Sequence, residues 1–389
     1  MDKKKSVNSL RMPVYRDAAF DLFDAETASM AFVAEAEARH DPDLYIYSRY
    51  RNPTVVDAEK EIMKREGSGW ALLTQTGMSA IDIAISIFQR GKKTRPWLFF
   101  SEIYGGTLSY IESVLKSRRG LDIHTFSPDS GKYDTGKLDE LLRSLRPEFI
   151  YFETISNPML IVPDALNIIR MSKKYGAITI VDNTFATPLL WKPLEAGADI
   201  VIHSATKYFS GHGNLTAGIL CGNNEAILKS AIEYRKYTGH MISSDDAYRL
   251  NTQMQSLNLR VSRQLENAGK LSELLERSPA VCKTFYPGLK SHPTHTEASL
   301  LFGNKGFGAV ITFDFAGENH ADKRSKRDRF ISSVSEKIRL VPSLGDSRTT
   351  LLPVESVWGE KYPEPGMIRL SVGFEDYDEI EHVISMALQ

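Results

Sequence analysis

Between residues 70 and 204 the chain alternates short apolar runs with stretches of helical periodicity, and few folds accept that pattern. The runs are WALLT (70–74), WLFFS (97–101), FIYFE (149–153), AITIVD (177–182) and DIVIHS (199–204). They are nearly continuous rather than alternating, as strands covered on both faces are. Between them, Lys137–Leu145 and Asp164–Tyr175 repeat apolar residues at the spacing of a helix with one buried stripe. Strand–helix alternation predicts an α/β fold: a mostly parallel sheet with helices on both faces. A chain of 389 residues exceeds one small core, so a large domain and a smaller one are expected.

The flanking regions read differently. Residues 1–51 carry a polar start, an alanine-rich helical stretch (Asp24–Arg39) and a Pro/Asp/Tyr-rich segment, and read as an arm lying on another surface. Residues 52–258 read as the large domain, opening with a helix over Pro53–Glu66 that has proline in its first turn. Residues 259–389 read as a C-terminal α+β domain. A polar helical stretch (Asn251–Leu275) leads into it; GAVITFDFAG (308–317) alternates like a strand with one exposed face, and MIRLSVGFE (367–375) precedes a terminal helix. There is no internal repeat.

A formal net charge of −1 gives no field that would attract nucleic acid or an anionic membrane. No apolar run reaches the ~18 residues of a membrane span, and MDKKKSVNSLRMP lacks the apolar core of a signal peptide. A soluble, cytoplasmic protein is expected. Cys221 and Cys282 cannot build a disulfide framework and are expected to be buried small hydrophobes. His203 reads as a packed core residue and His212 as a support of its loop; His292 and His295 form no metal pair, and no metal site is expected. SSDDAYRL (243–250) reads as a capped helix start.

The residues able to do chemistry cluster where the strand candidates end, which is where open α/β sheets bind ligands. WALLT runs into Gly77 and an amphipathic helix, whose first N–H groups could hold a phosphate. Asp182 closes a strongly apolar strand and needs either a helix to cap or a cationic partner. Lys207 follows another apolar strand among Ser204, Thr206 and Ser210. A lysine at such a place can lose its proton and act as a nucleophile, although most lysines are solvated surface groups.

The run VDNTFATPLLWKPLEAGADIVIHSATKYFSGHGN resembles the lysine signature of the Cys/Met-metabolism enzymes that depend on pyridoxal 5'-phosphate. That family includes methionine γ-lyase, cystathionine γ-lyase, cystathionine γ-synthase and the homoserine-ester sulfhydrylases. The likeness continues, in family order, through YSRYRNPT (47–54), TGMSAID (76–82), YGGT (104–107), SNP (156–158), SLGD (343–346) and IRLSVGFE (368–375). It implies the fold-type I architecture of PLP-dependent transferases. It also implies that Lys207 carries the cofactor as a Schiff base and moves protons at the substrate. Asp182 would pair with the ring nitrogen and Tyr104 would stack on the ring and act as an acid or base. Gly77, Met78, Ser204 and Thr206 would hold the phosphate, and Asn157, with Glu153 at the same strand end, would meet the cofactor's phenolic oxygen. Arg369 and Ser343 would receive the carboxylate of an amino-acid substrate. Tyr47 and Arg49 would reach the phosphate of a neighbouring subunit, in a homotetramer built from dimers that share active sites.

The resemblance implies C–S cleavage at Cγ of a sulfur amino acid, methionine or cystathionine, because YFSGHGNLTAG is most similar to the lyases. The alternative is γ-replacement on an O-acyl-homoserine, which SLGDSRTT favours. Transamination is argued against by the whole set of motifs, and a catalytically lost relative by the presence of Lys207, Asp182 and Arg369. The chain departs from the family at Gly106, where many methionine γ-lyases have cysteine, and at Pro342, where many cystathionine-processing members have glutamate. PVYRDAAF places Arg16 and Asp17 near the expected site entrance. TTLLPVESVWGEKYPEPG replaces the usual histidine-proline segment and contains no histidine.

Overall fold

The structure, a computed structural model, describes residues 9–89 and 95–389; the basic start of the expected arm, residues 1–8, lies outside them. Each of the five apolar runs forms a strand: β1 (Trp70–Thr74), β2 (Trp97–Phe100), β4 (Phe149–Glu153), β5 (Ile178–Asp182) and β6 (Ile200–Ser204). Two further strands complete the sheet, β3 (Ile123–Phe126) and β7 (Gly218–Gly222), in the order β1-β7-β6-β5-β4-β2-β3. Only β7 runs against the others, pairing antiparallel with both β1 and β6. β7 is short and bounded by glycine, and it is not among the apolar runs that the sequence marks as strands. Those glycines answer to close packing: a Cβ at Gly222 would lie 2.4 Å from the Trp70 ring, and one at Gly218 would lie 2.1 Å from the Thr76 carbonyl. β3 is an edge strand with a mixed IHTF composition, so it has no continuous apolar signal.

Helix boundaries follow local chemistry. Helix α1 (Ala25–Ala36) is capped by Asp24. In α2 (Pro53–Glu66) the Asn52 side chain caps the Thr54 N–H, proline fills the first position, and Gly67 leaves the helix at φ 73°. In α3 (Gly77–Ser86) Thr76 caps the Ser79 N–H. Ser243 caps the helix Ser244–Met254. The polar stretch expected as one helix over Asn251–Leu275 is broken at Gln255–Ser256, between Ser244–Met254 and Leu257–Arg277. The side chains of Ser256 and Arg260 both donate to the carbonyl of Gln253 and satisfy the broken turn.

A second sheet of five strands holds β8 (Val281–Phe285), β9 (Val310–Phe315), β10 (Arg339–Leu340), β11 (Thr350–Pro353) and β12 (Met367–Ser371), in the order β10-β11-β12-β9-β8. The expected exposed face of β9 is a correction: all six residues are buried. Phe313 and Phe315 pack on Phe330 of the helix His320–Val334. On the opposite face the Thr312 hydroxyl donates to the Pro158 carbonyl at 2.7 Å, so the loop after β4 covers Thr312, while Asp314 is held by Lys323. Arg369 of β12 is directly opposite Thr312 and shares that covered face. Cys221 is buried as expected, but Cys282 is exposed, on the outermost strand β8 with its thiol against Asp314. No described helix is long and apolar enough to cross a membrane.

Candidate active site

Because β7 alone is reversed, β1, β2, β4, β5 and β6 deliver their carboxyl ends to one edge of the large sheet. A cavity of about 230 Å³ lies at that edge. The turn into α3 contributes Gly77 and Met78, the segment after β2 contributes Tyr104, and β4 with its following loop contributes Glu153 and Asn157. Asp182 and Thr184 come from the end of β5, Ser204, Thr206 and Lys207 from the end of β6, and Arg369 from the second sheet. Residues spread over 293 positions of sequence (from Gly77 to Arg369) therefore face one small volume.

Burial depresses the Lys207 amine to about 8, and the nearby Arg369 guanidinium adds to the effect. The amine donates to the Ser343 hydroxyl at 2.8 Å and, among the described residues, has no carboxylate partner. Asp182 is only 8% exposed, yet its partners are neutral: the Thr184 N–H and hydroxyl on one oxygen, the Tyr151 hydroxyl on the other. Burial pushes its carboxyl above the ordinary range. Glu153, beside it in register across β4 and β5, is pushed well above its ordinary value by burial and by Asp182. A buried carboxylate without a cation is costly, and Asp182 meets that description.

Arg369 is 4% exposed and donates to the Asn157 side chain and the Ser343 carbonyl, both at 3.1 Å, while its Nε has no partner. At the other end of the cavity, Thr76 takes up the N–H groups of Ser79 and Ala80, leaving those of Gly77 and Met78 at the helix start. A Cβ on Gly77 would lie 3.0 Å from Ser204, so glycine brings the helix start against that hydroxyl. An anion cradle, a carboxylate lacking a cation and a depressed lysine amine are the three complements of a phosphorylated pyridine aldehyde. The residues present fit pyridoxal phosphate.

Tyr104 stands at the mouth, 49% exposed, with its N–H bonded to Glu153. Its ring folds over Gly106, where a Cβ would come within 2.3 Å of it. A cysteine at position 106 would force that ring aside.

The structure does not bring every expected residue to this cavity. Ser343 touches Lys207 and Arg369 from behind, while its neighbours Pro342 and Leu344 form the wall. Tyr47 and Arg49 lie away from it: Arg49 donates to the Lys236 carbonyl and stacks over Tyr47 and Tyr50. Arg16 pairs with Asp245 on the surface and does not line the cavity. His203 is a core residue bonded to Glu66 at 3.0 Å, His212 bonds to the Ser210 carbonyl, and His292 to the Met159 carbonyl. Among the described residues no cluster of His, Cys, Asp or Glu could hold a metal ion. A larger groove of about 680 Å³ runs between Leu10–Met12 and α2, but its Lys60 and Lys64 are paired with Asp41 and Glu61.

Sequence reading missed Arg260 and Thr184. Arg260 donates to the carbonyls of Tyr208 and Phe209, clamping the segment that carries Lys207, and a Cβ on Gly211 would collide with it at 1.6 Å. Nothing in a polar helical stretch marks one arginine for that position. Thr184, two residues past the strand-end acid, was legible as a hydroxyl able to satisfy it.

The pattern of the Cys/Met metabolism PLP-dependent enzymes matches residues 1–389. An L-methionine gamma-lyase of Pseudomonas putida is 33% identical over 401 aligned positions, which cover 100% of this chain and 94% of that protein. A cystathionine beta-lyase of Lactococcus lactis is 34% identical over 354 positions, 90% of this chain and 89% of that one. Among solved structures, a cystathionine gamma synthase from Xanthomonas oryzae pv. oryzae superposes with a TM-score of 0.84 at 25% identity, covering 97% of this chain and 92% of that one.

Proposed function

Since this chain belongs to the Cys/Met metabolism PLP-dependent enzymes, we propose that it breaks the Cγ–S bond of a sulfur amino acid, methionine or cystathionine. The cofactor reading is carried by the depressed Lys207 amine in one cavity with the uncompensated Asp182 and with Arg369, and the reaction at Cγ–S is supported by the likeness to methionine and cystathionine gamma-lyases. Bound pyridoxal phosphate supplies an electron sink that stabilises negative charge at the substrate Cα. Gly77 and Met78, with the hydroxyls of Ser204 and Thr206, would hold its phosphate, Asp182 would keep its ring nitrogen protonated, and Asn157 would meet its phenolic oxygen.

Arg369 receives the substrate α-carboxylate in paired hydrogen bonds, with Ser343 behind it. Lys207 takes the proton from Cα and then moves protons at Cβ. Tyr104, at the mouth, gives a proton to the departing sulfur. Water then completes the conversion to a 2-oxo acid and ammonia. Residues 1–51 act as an arm whose Tyr47 and Arg49 reach the phosphate site of a neighbouring copy, in a homotetramer built from such dimers. We read 52–258 as the cofactor-binding domain, 259–389 as the small domain, and the cytoplasm as the protein's compartment.

The similarity to a cystathionine gamma synthase structure supports a second reading, γ-replacement on an O-acyl-homoserine. One assay separates the two. The enzyme is incubated with methionine, cystathionine, cysteine or O-acetylhomoserine, with and without sulfide. Release of ammonia and 2-oxobutanoate, with methanethiol from methionine or cysteine from cystathionine, supports Cγ–S cleavage, whereas pyruvate and homocysteine from cystathionine, or new thioether or thiol amino acid from O-acetylhomoserine alone, refutes it.

A further inference from the structure

The segment TTLLPVESVWGEKYPEPG (349–366) runs through β11 up to β12, and residues placed there reach both walls of the cavity. After β11 comes a one-turn helix, Glu355–Trp358, and then a single tight turn, Gly359–Lys361. Trp358 packs against Phe285, Val354 and Met367, and the Arg369 guanidinium lies 5.6 Å from the centre of its ring. Three residues on, Lys361 donates to the Ser101 carbonyl at 3.0 Å and pairs with one oxygen of Glu102 at 3.1 Å. The Tyr362 hydroxyl donates to the other oxygen of Glu102.

Glu102 is buried, and its own N–H meets the Tyr133 hydroxyl. Ser101 and Glu102 begin the turn after β2 that ends at Tyr104. One short element thus covers the face of the arginine and ties down the base of the tyrosine turn. A guanidinium bonded through its two terminal nitrogens still tilts about its stem; an aromatic face over it restricts that tilt. A buried carboxylate keeps its place only while its cation and its donor stay with it.

We propose that Trp358, Lys361 and Tyr362 form a bracket of positioning residues. Trp358 orients Arg369 for the substrate carboxylate, and Lys361 with Tyr362 fixes the Tyr104 turn through Glu102. The bracket sets the gap between the carboxylate and the γ-substituent. This inference rests on the function proposed above.

The test uses holoenzyme carrying Trp358→Ala, Trp358→Phe, Lys361→Met or Tyr362→Phe. It reads kcat and KM separately on the amino acid that the wild type turns over, and the visible spectrum of bound cofactor. Trp358→Ala raises KM about tenfold with little change in kcat, and Trp358→Phe restores most of it. Lys361→Met and Tyr362→Phe lower kcat about tenfold and move the cofactor's visible band, with KM near that of the wild type. An unchanged KM in Trp358→Ala, or wild-type kcat and spectrum in Lys361→Met and Tyr362→Phe, would overturn the bracket. So would equal KM increases in both Trp358 variants. The wild-type spectrum reports on the cofactor reading before any variant is made, so a failure of that reading is seen separately.

Discussion

Lys207 is set apart from the other lysines by its surroundings: burial first, then the Arg369 charge, bring its amine to about 8. The neutral amine is the nucleophile, so capture of pyridoxal phosphate by the cofactor-free protein should accelerate as pH rises through about 8. Arg369→Leu removes the second cause and should move that midpoint upward, which stopped-flow absorbance across pH would show; a downward shift would contradict it. Glu153 gives the opposite kind of signature. Its folded-state pKa is raised, so the native protein binds more protons than the unfolded chain and loses stability as pH climbs above the ordinary carboxylate range. Glu153→Gln removes that cost while still accepting the Tyr104 N–H. Thermal melts of cofactor-free protein should therefore show stabilisation at pH 8 and little change at pH 4; stabilisation only at low pH would refute the assignment.

At the scale of elements, the apolar runs were legible because strands buried on both faces need no polar partner pattern, and all five formed. β7 and β3 were not, since close packing demanded glycine in the first and a sheet edge tolerated polar residues in the second. The alternation in β9 suggested solvent, but Thr312 meets a carbonyl rather than water. Periodicity reports which residues differ across a strand, and it cannot report what covers the polar side. Asp182 and Lys207 stand out by their position at strand ends, but their roles, and those of Ser204 and Thr206 at a phosphate, come only with the family likeness. Arg369 and Ser343 needed the family likeness, because their partners lie on another sheet. Arg260 had no signal, and it carries a prediction. Arg260→Met leaves the carbonyls of Tyr208, Phe209 and Gln253 without its donors, at about 1–3 kcal/mol. A lower melting temperature and slower cofactor capture are expected, and melting unchanged from the wild type would contradict the clamp.

At the scale of the whole molecule, Tyr47 and Arg49 lie outside their own chain's cavity, as the proposed arm requires. Phe23, Met30, Phe32 and Val33 leave apolar side chains exposed on the same segment, as a surface meeting another copy would. If sites are shared, inactive Arg49→Ala and Lys207→Ala proteins mixed and re-associated should regain activity in hybrids, up to about a quarter of the wild-type value for random pairing with one intact site per hybrid dimer. No regain after verified subunit exchange would refute sharing. The central claim, that the chain holds its cofactor on Lys207, has a more direct measurement. Holoenzyme is reduced with borohydride, digested, and the peptides are weighed by mass spectrometry. The account predicts a pyridoxyl-phosphate adduct on the peptide containing Lys207, with loss of the visible band, and no such adduct in Lys207→Ala. An adduct confined to other lysines, or none at all from protein that binds the cofactor, would contradict it.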